Sequence, residues 1–236
     1  MADDTLTAVV LAAGAGRRFG GPSKVWRLLD GRPLWWWSLE AFGDLAAAGV
    51  LVVAPPRLEE AQELLGVWSR RAGFPVTVVA GGAERWESSR AGVAEVRTAY
   101  CAIHDAARPC VTGALVARVF AAARLTGAAV PVVTPADTVK VVADGRVVGT
   151  VPRVRAGLAQ TPQIFRTDWI RRALAEVEGT VTDDAELLER RGLPVAAVPG
   201  DPENRKITVP EDWLWLERHW AARHQGGGTD ADRAGT

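Results

Sequence analysis

The chain has 236 residues, 48% of them hydrophobic, and its 28 basic side chains are balanced by 28 acidic ones for a formal net charge of zero. That length and apolar content suit one large α/β domain with a buried core. A zero balance leaves no electrostatic footprint for nonspecific binding to nucleic acid, so any anionic ligand has to be held by a local cluster of charge.

No apolar run reaches the length of a membrane span. The acidic start, Met1 to Thr5, leads straight into a strand pattern and does not read as a secretory signal. Cys101 and Cys110 are too few for a disulfide framework, so the expected setting is a reducing cytoplasm, with neither nucleic acid nor membrane as a partner.

Short Val-rich runs alternate with longer amphipathic segments, the pattern of a mostly parallel, doubly wound sheet with helices on both faces. Strands are expected at 7–13, 50–54, 76–80, 101–104, 128–133 and 195–198. Helices are expected over 33–45, 58–72, 84–97, 113–125, 167–178, 183–191 and 210–224. No linker divides residues 1–225, which read as one domain, and 226–236, small and polar, read as a disordered tail. One stretch breaks the alternation: residues 138–151 read as two valine-rich strands joined by Asp144-Gly145, the strongest short hairpin signal. A lone two-stranded arm, at about 137–152, is marginal in water and needs a surface to pack on. That surface is either a partner subunit in a symmetric homodimer or the arm's own domain.

The residues that carry chemistry follow strand ends. Residues 11–24, Leu-Ala-Ala-Gly-Ala-Gly-Arg-Arg-Phe-Gly-Gly-Pro-Ser-Lys, form a glycine-rich loop suited to polyphosphate. Its glycines let backbone N–H groups approach phosphate oxygens, while Arg18 offers a planar fork and Lys24 a compact point charge. Only three of the 28 basic residues are lysines, Lys24, Lys140 and Lys206, so lysine at 24 and 206 points to a need for the ammonium group. The loop matches neither phosphate motif it is near: Phe19 replaces the third glycine of the dinucleotide fingerprint, and the P-loop ending is absent.

Further on, Gly81-Gly82-Ala83-Glu84-Arg85 with Ser88 follows a strand and opens a helix, either as a base and ribose site or as a plain turn. His104-Asp105-Ala106-Ala107-Arg108-Pro109 combines an acid, two small residues and a cation, as a ligand pocket or a local ion pair. Cys101, His104 and Cys110 do not make a zinc site, because strand alternation points the first two to opposite faces and a fourth ligand is missing. Arg153, Arg155, Gln160 to Gln163, Thr182 to Asp184 and Asn204 to Thr208 supply the hydroxyls and cations a phosphorylated polyol requires, although Thr182 also fits a helix N-cap. Trp35, Trp36 and Trp37 read as packing residues.

Taken in order, these motifs resemble the 2-C-methyl-D-erythritol 4-phosphate cytidylyltransferase family over about residues 7 to 220. The opening loop alone indicates a nucleotidyltransferase; His-Asp-Ala-Ala-Arg-Pro, Asp137-Thr138-Val139-Lys140, Gln-Thr-Pro-Gln and Asn-x-Lys-Ile-Thr narrow it. The resemblance implies a Rossmann-like nucleotidyltransferase fold with a protruding β-hairpin arm. It also implies an enzyme that joins CTP to methylerythritol phosphate in non-mevalonate isoprenoid synthesis, releasing diphosphate with Mg2+ present. Arg18 and Lys24 would be the transition-state stabilisers, and Arg153 and Lys206 would position the substrate phosphate. Ala12, Ala13, Gly14, Ala15, Gly16, Gly81, Gly82, Ser88 and Ala106 correspond to CTP contacts, and Asp105, Arg108, Thr138, Thr161 and Thr182 to the alcohol phosphate pocket. Mg2+ would be held mainly by the CTP phosphates, with Asp105 the candidate side chain. In the family the arm crosses to a partner, so Thr138 and Arg153 would serve the neighbour's site. Ala83, Trp26 and Arg205 depart from the usual pattern. The residues leave open a cytidylyltransferase for another polyol phosphate such as ribitol 5-phosphate, an NAD-binding oxidoreductase and a noncatalytic nucleotide sensor.

Overall fold

The structure is a computed structural model, and it describes residues 4–14, 16, 19 and 23–225. The expectations placed on Ala15, Arg18 and the tail at 226–236 lie outside the described residues. The chain opens with β1 (Leu6–Ala12), a small hairpin of β2 (Leu28–Leu29) and β3 (Arg32–Pro33), and α1 (Leu34–Glu40). Next come β4 (Ala48–Val53), α2 (Leu58–Ala72), β5 (Val76–Ala80), α3 (Arg85–Ala94), β6 (Tyr100–Asp105), α4 (Gly113–Thr126) and β7 (Ala128–Val133). The second half holds the arm strands β8 (Lys140–Ala143) and β9 (Arg146–Thr150), then β10 (Leu158–Ala159), β11 (Gln163–Arg166), α5 (Thr167–Ala175), α6 (Asp184–Glu189), β12 (Ala196–Pro199) and α7 (Pro210–Gln225).

β5, β4, β1 and β6 lie side by side and parallel, with β1 between β4 and β6. Helices cover both faces, so successive residues of a strand are buried in opposite directions. Val10, Leu51 and Ala102 join a core built on α1, α2 and α4, whereas Val9, Val52 and Ile103 join one built on α3, α5 and α6. This is why the strands read as continuous apolar runs rather than alternating ones. Each fully buried Val or Leu contributes roughly 1.5–3 kcal/mol, which favours this register over a slip. Trp35 and Trp36 of α1 are fully buried, and Trp37 packs at 4.6 Å on Trp220 of α7, as packing residues do.

Two strands depart from expectation. β11 is inserted antiparallel between β6 and β7, and β10 runs antiparallel along β7, with the cis Thr161–Pro162 bond between the two pieces. β12 closes the other edge of β7 in parallel. β11 is four residues long, follows a proline and is flanked by polar Gln163 and Arg166, so it carries almost no strand signature. α1 also ends earlier than expected, at Glu40, and the chain continues through a 3-10 turn at Gly43–Leu45. The arm turns as its sequence predicts: Asp144 and Gly145 both have positive φ, at 49° and 73°, the backbone of a two-residue hairpin turn. Val141, Val142, Val147 and Val148 remain 48–64% exposed, so the arm does not fold back on its own chain.

Candidate active site

The carboxyl ends of β1, β4 and β6 and the loop after β5 open onto one cleft of about 460 Å3. In sheets of this type that edge is where ligands bind. Ala13 and Gly14 follow β1, Ala54 and Pro55 follow β4, Gly82 to Arg85 follow β5, and Asp105 ends β6. Lys24 and Lys206 line the same cleft. Sequence reasoning placed Ala13, Gly14, Gly16, Gly82, Ser88, Asp105, Lys24 and Lys206 in the site, and the fold brings these eight to one opening.

The first loop is pinned locally. Ser23 Oγ donates to the Gly14 carbonyl at 2.9 Å, and Phe19 N–H donates to that of Gly16 at 2.8 Å. Gly16 has φ +65°, where a side chain would strain the backbone. Lys24 Nζ lies 5.9 Å from the Phe19 ring centroid. Opposite, Gly81 is fixed by close approach: a Cβ there would fall 2.5 Å from Ala13 Cβ and 2.7 Å from Ser88 Oγ. Ser88 Oγ accepts the Gly82 N–H at 3.2 Å and donates to the Glu84 carbonyl at 3.4 Å, so it fixes the Gly81–Gly82 turn. Ala12 and Ala106 are buried; the Ala106 N–H donates to the Leu11 carbonyl and its neighbour Ala107 lines the cleft instead.

Asp105 is the electrostatic centre. Lys206 Nζ donates to its Oδ2 at 2.8 Å and Arg85 Nε to its Oδ1 at 3.3 Å, while Arg108 Nε stands 3.9 Å away. Burial pushes the Asp105 pKa up, but Arg85, Lys206 and Arg108 more than reverse this and hold the carboxyl well below the usual carboxylate range. Arg85 also donates from Nη1 to Oδ2 of buried Asp184 at 2.6 Å. Burial pulls its pKa down, and Asp184 and Asp105 overcome that, leaving it raised. The sequence places Arg85 in the Gly81–Arg85 motif but gives it no role of its own. A signal existed: Arg85 is the first residue of α3, where a cation opposes the helix dipole unless carboxylates answer it.

Behind Asp105 lies a buried polar layer. Thr161 Oγ accepts the Asp105 N–H at 3.1 Å and lies 3.0 Å from His104 Nδ1, whose Nε2 faces the Arg108 carbonyl at 3.2 Å. Asn204 Nδ2 donates to the Thr161 carbonyl at 2.8 Å, and Arg108 Nη1 donates to the Asn204 carbonyl at 2.8 Å. Thr161 and Arg108 thus brace the loop that carries Lys206, and the weak Asp105–Arg108 contact is secondary to that.

Three expected residues stand apart from this chain's cleft. Thr138 and Arg153 are exposed on the arm and at its base. Thr182 is exposed and donates from both N and Oγ to Glu186 Oε2, at 2.8 and 2.7 Å; the N-cap of α6 is Asp183. Asp105 does not fit as a direct metal ligand, because both its oxygens face cations, and the described residues contain no group of three or more His, Cys, Asp or Glu side chains placed to hold an ion. No described helix is long and apolar enough to cross a membrane.

A glycine-rimmed opening at the carboxyl edge of a parallel sheet, furnished with lysines in a chain of zero net charge, defines an α/β fold of the nucleotidyltransferase class. A family model described as 2-C-methyl-D-erythritol 4-phosphate cytidylyltransferase (IspD) matches residues 6–219, and the chain belongs to that family. The protein of this name from Frankia casuarinae is 43% identical over 224 residues, covering 92% of this chain and 82% of the relative. The bifunctional enzyme IspD/IspF of Solidesulfovibrio magneticus is 44% identical over 221 residues, covering 88% of this chain and 55% of the relative. The chain spans just over half the length of such bifunctional relatives. Among solved structures, 2-C-methyl-D-erythritol 4-phosphate cytidylyltransferase from Thermus thermophilus matches with a TM-score of 0.71 at 33% identity, covering 91% of this chain and 98% of that one. The 4-diphosphocytidyl-2C-methyl-D-erythritol synthase of Anaerococcus prevotii shares the fold, with a TM-score of 0.80 at 24% identity over 92% of this chain and 98% of that one. Membership of this family sets aside the dinucleotide-binding oxidoreductase.

Proposed function

We propose that the protein transfers the cytidylyl group of CTP to 2-C-methyl-D-erythritol 4-phosphate and releases diphosphate, in the non-mevalonate route to isoprenoids. The observation that carries this reading is the convergence of Lys24, Lys206 and Asp105 with Gly14, Gly16 and Gly82 on one cleft. A phosphate oxygen of the alcohol phosphate attacks the α-phosphorus of CTP; the bond from that phosphorus to the bridging oxygen breaks, and diphosphate leaves with the electron pair. The nucleophile is already anionic near neutral pH, so no general base is needed. The protein's work is to hold two anions together in line and to stabilise charge as it builds on the α-phosphoryl and the leaving group. Lys24, with Arg18, takes that role, while Lys206 and Arg153 place the alcohol phosphate and Asp105 accepts from one of its hydroxyls. Ala13 to Gly16, Gly82 and Ser88 face CTP, with Ala12, Gly81 and Ala106 shaping the backbone behind them; Arg108 and Thr161 brace the alcohol phosphate side behind Asp105, Thr138 serves the neighbour's cleft, and Thr182 reaches a substrate only by leaving Glu186.

Magnesium arrives with CTP, as part of the substrate. The exposed valines of the arm support a homodimer in which Thr138 and Arg153 reach the neighbour's cleft, and a cytoplasmic setting fits the chain's composition. A diphosphate-release screen of four nucleoside triphosphates against methylerythritol 4-phosphate and ribitol 5-phosphate tests the reading. Release with CTP and the first alcohol phosphate, at the highest kcat/KM of the panel, is the expected result. A higher value with ribitol 5-phosphate would reassign the substrate, and release with no combination would overturn the activity.

A further inference from the structure

The Lys206–Asp105 contact competes with any anionic substrate for the same ammonium group. Lys206 is placed to receive a phosphate, yet its ammonium already donates to Asp105 Oδ2 at 2.8 Å. A phosphate that draws Lys206 away would leave behind a carboxylate that is only 11% exposed. Stranding a buried charge in this way is costly unless a second cation remains in place.

Arg85 is that cation. Its Nε holds the opposite oxygen, Oδ1, at 3.3 Å, so it does not compete with Lys206 for the same lone pairs. Its own position is fixed from the far side by Asp184, 2.6 Å from Nη1. Asp184 is 1% exposed, and its Oδ1 has no hydrogen-bond partner among the described residues, which commits that carboxylate to Arg85. The two anchors come from the start of α3 and the start of α6, whereas Lys206 comes from the loop before α7, so Lys206 can shift without carrying Arg85 along. Arg108 does not substitute: it stands 3.9 Å from Asp105 and gives its Nη1 to the Asn204 carbonyl.

We infer that Arg85, anchored by Asp184, is a positioning residue that keeps Asp105 ionised and in place while Lys206 leaves it for the substrate phosphate. The exchange has a chemical consequence. It frees Lys206 for an anion and Oδ2 of Asp105 for a hydroxyl donor at the same moment. A ligand that carries both groups replaces both halves of the ion pair, whereas inorganic phosphate replaces only one. The cleft thereby selects a polyol phosphate over a simple phosphate without adding a residue dedicated to that choice.

This inference rests on the cytidylyltransferase reading, and the experiment separates the two. Methylerythritol 4-phosphate and, separately, inorganic phosphate are titrated calorimetrically into the wild type, Asp184→Asn, Arg85→Lys and Arg85→Leu. The α,β-methylene analogue of CTP is present throughout, and each protein's steady-state KM values are measured alongside. Asp184→Asn should weaken methylerythritol phosphate binding about tenfold and Arg85→Leu about a hundredfold, with Arg85→Lys recovering part of the loss. KM for CTP should stay within about twofold, and the wild type's preference over inorganic phosphate should shrink in step. A merely structural role would move both KM values together, and that result, or unchanged affinity for methylerythritol phosphate in all three variants, overturns the inference. Binding without turnover in the wild type would remove only the activity, and wild type that binds no methylerythritol phosphate would remove both. Should Asp184→Asn not fold, the two Arg85 variants decide alone.

Discussion

The Thr161 hydroxyl and the His104 imidazole share one proton, 3.0 Å apart, inside the wall of the cleft. Thr161 Oγ accepts the Asp105 N–H, which leaves its own hydrogen for His104 Nδ1. The imidazole proton is then on Nε2, where it meets the Arg108 carbonyl at 3.2 Å. Only a neutral ring in this tautomer satisfies every group, and burial accordingly lowers the His104 pKa to about 4.

Thr161→Val keeps the shape but removes both functions of the hydroxyl, leaving the Asp105 N–H and His104 Nδ1 buried and unpaired. Leaving such groups unsatisfied costs roughly 2 kcal/mol, so thermal unfolding should begin about 4–8 °C lower. Thr161→Ser retains the hydroxyl and should recover most of that loss. Equal melting temperatures for the valine variant and the wild type would remove this layer from the stability of the site.

The same histidine makes the fold sensitive to acid. Well above pH 6.5 the ring is neutral in both the folded and the unfolded chain and contributes no pH dependence. As pH falls, the unfolded chain takes up the proton first, and the folded chain does so only near pH 4, so stability drops across that window. The drop should approach roughly 3 kcal/mol. Asp105, held below the usual carboxylate range, loses its contribution only at lower pH still. Urea midpoints at pH 7, 5.5 and 4.5 should fall in that order, and His104→Asn, less stable at pH 7, should give a flatter profile.

How much of this was legible in the sequence depends on how far apart the partners lie. The glycine loop and the Gly81–Gly82 turn are contiguous, so each announces its backbone conformation locally, and strand ends place both at one edge of the sheet. Lys206 and Asp105 are separated by 101 positions, and Arg85 and Asp184 by 99, so no local pattern pairs them. Asp105 could be named as a ligand residue, but not as the centre of three cations. The strand β11 escaped for a related reason: its burial between β6 and β7 is set by tertiary pairing, while its four residues after a proline look like loop.

Gly81→Ala should disable the nucleotide side of the cleft while leaving the cation cluster intact. The new Cβ would lie 2.5 Å from Ala13 Cβ, 2.7 Å from Ser88 Oγ and 3.2 Å from Val52 Cγ1, and Ala13 has no flexible end that can yield. The strain should cost roughly 1–3 kcal/mol and move the Gly82 N–H off Ser88. We expect KM for CTP to rise about tenfold and KM for the alcohol phosphate to change little. A Gly81→Ala enzyme with wild-type CTP saturation would show that close approach at this turn serves packing alone.

Lys24→Ala tests whether the charge at this position acts on the reacting phosphoryl. Loss of a well-placed transition-state donor typically costs roughly 3–4 kcal/mol, or a few hundredfold in rate. Because the backbone cradle of Gly14 and Gly16 remains, binding of CTP should weaken much less than turnover. Fluorescence or calorimetric titration with CTP, set against kcat, separates the two. Near-normal kcat would take Lys24 out of the chemistry, and a purely KM effect would make it a binding residue.

The arm supplies the last test, because its valines and its cation make separate demands on a second chain. Val142 and Val148 are each 62% exposed on a two-stranded hairpin that is marginal without a covering surface. Arg153, at the base of the arm, is exposed and does not line its own chain's cleft. Light scattering should therefore report twice the 25.2 kDa chain mass for the wild type, and a single chain for Val142→Asp combined with Val148→Asp. If Arg153 serves the neighbour, this monomer should show a KM for the alcohol phosphate raised at least about tenfold, matching that of Arg153→Ala. The decisive measurement is mixing at an alcohol phosphate concentration well below the raised KM: Arg153→Ala and Lys24→Ala proteins, each about tenfold or more impaired there, should recover up to about a quarter of wild-type activity on exchange of subunits. That recovery requires one intact cleft to receive an intact Arg153 from the other chain. A fully active monomer, or an Arg153→Ala protein as active as the wild type, would return the arm to a packing element, and mixed variants that regain nothing despite exchanging would assign Arg153 to its own chain's cleft.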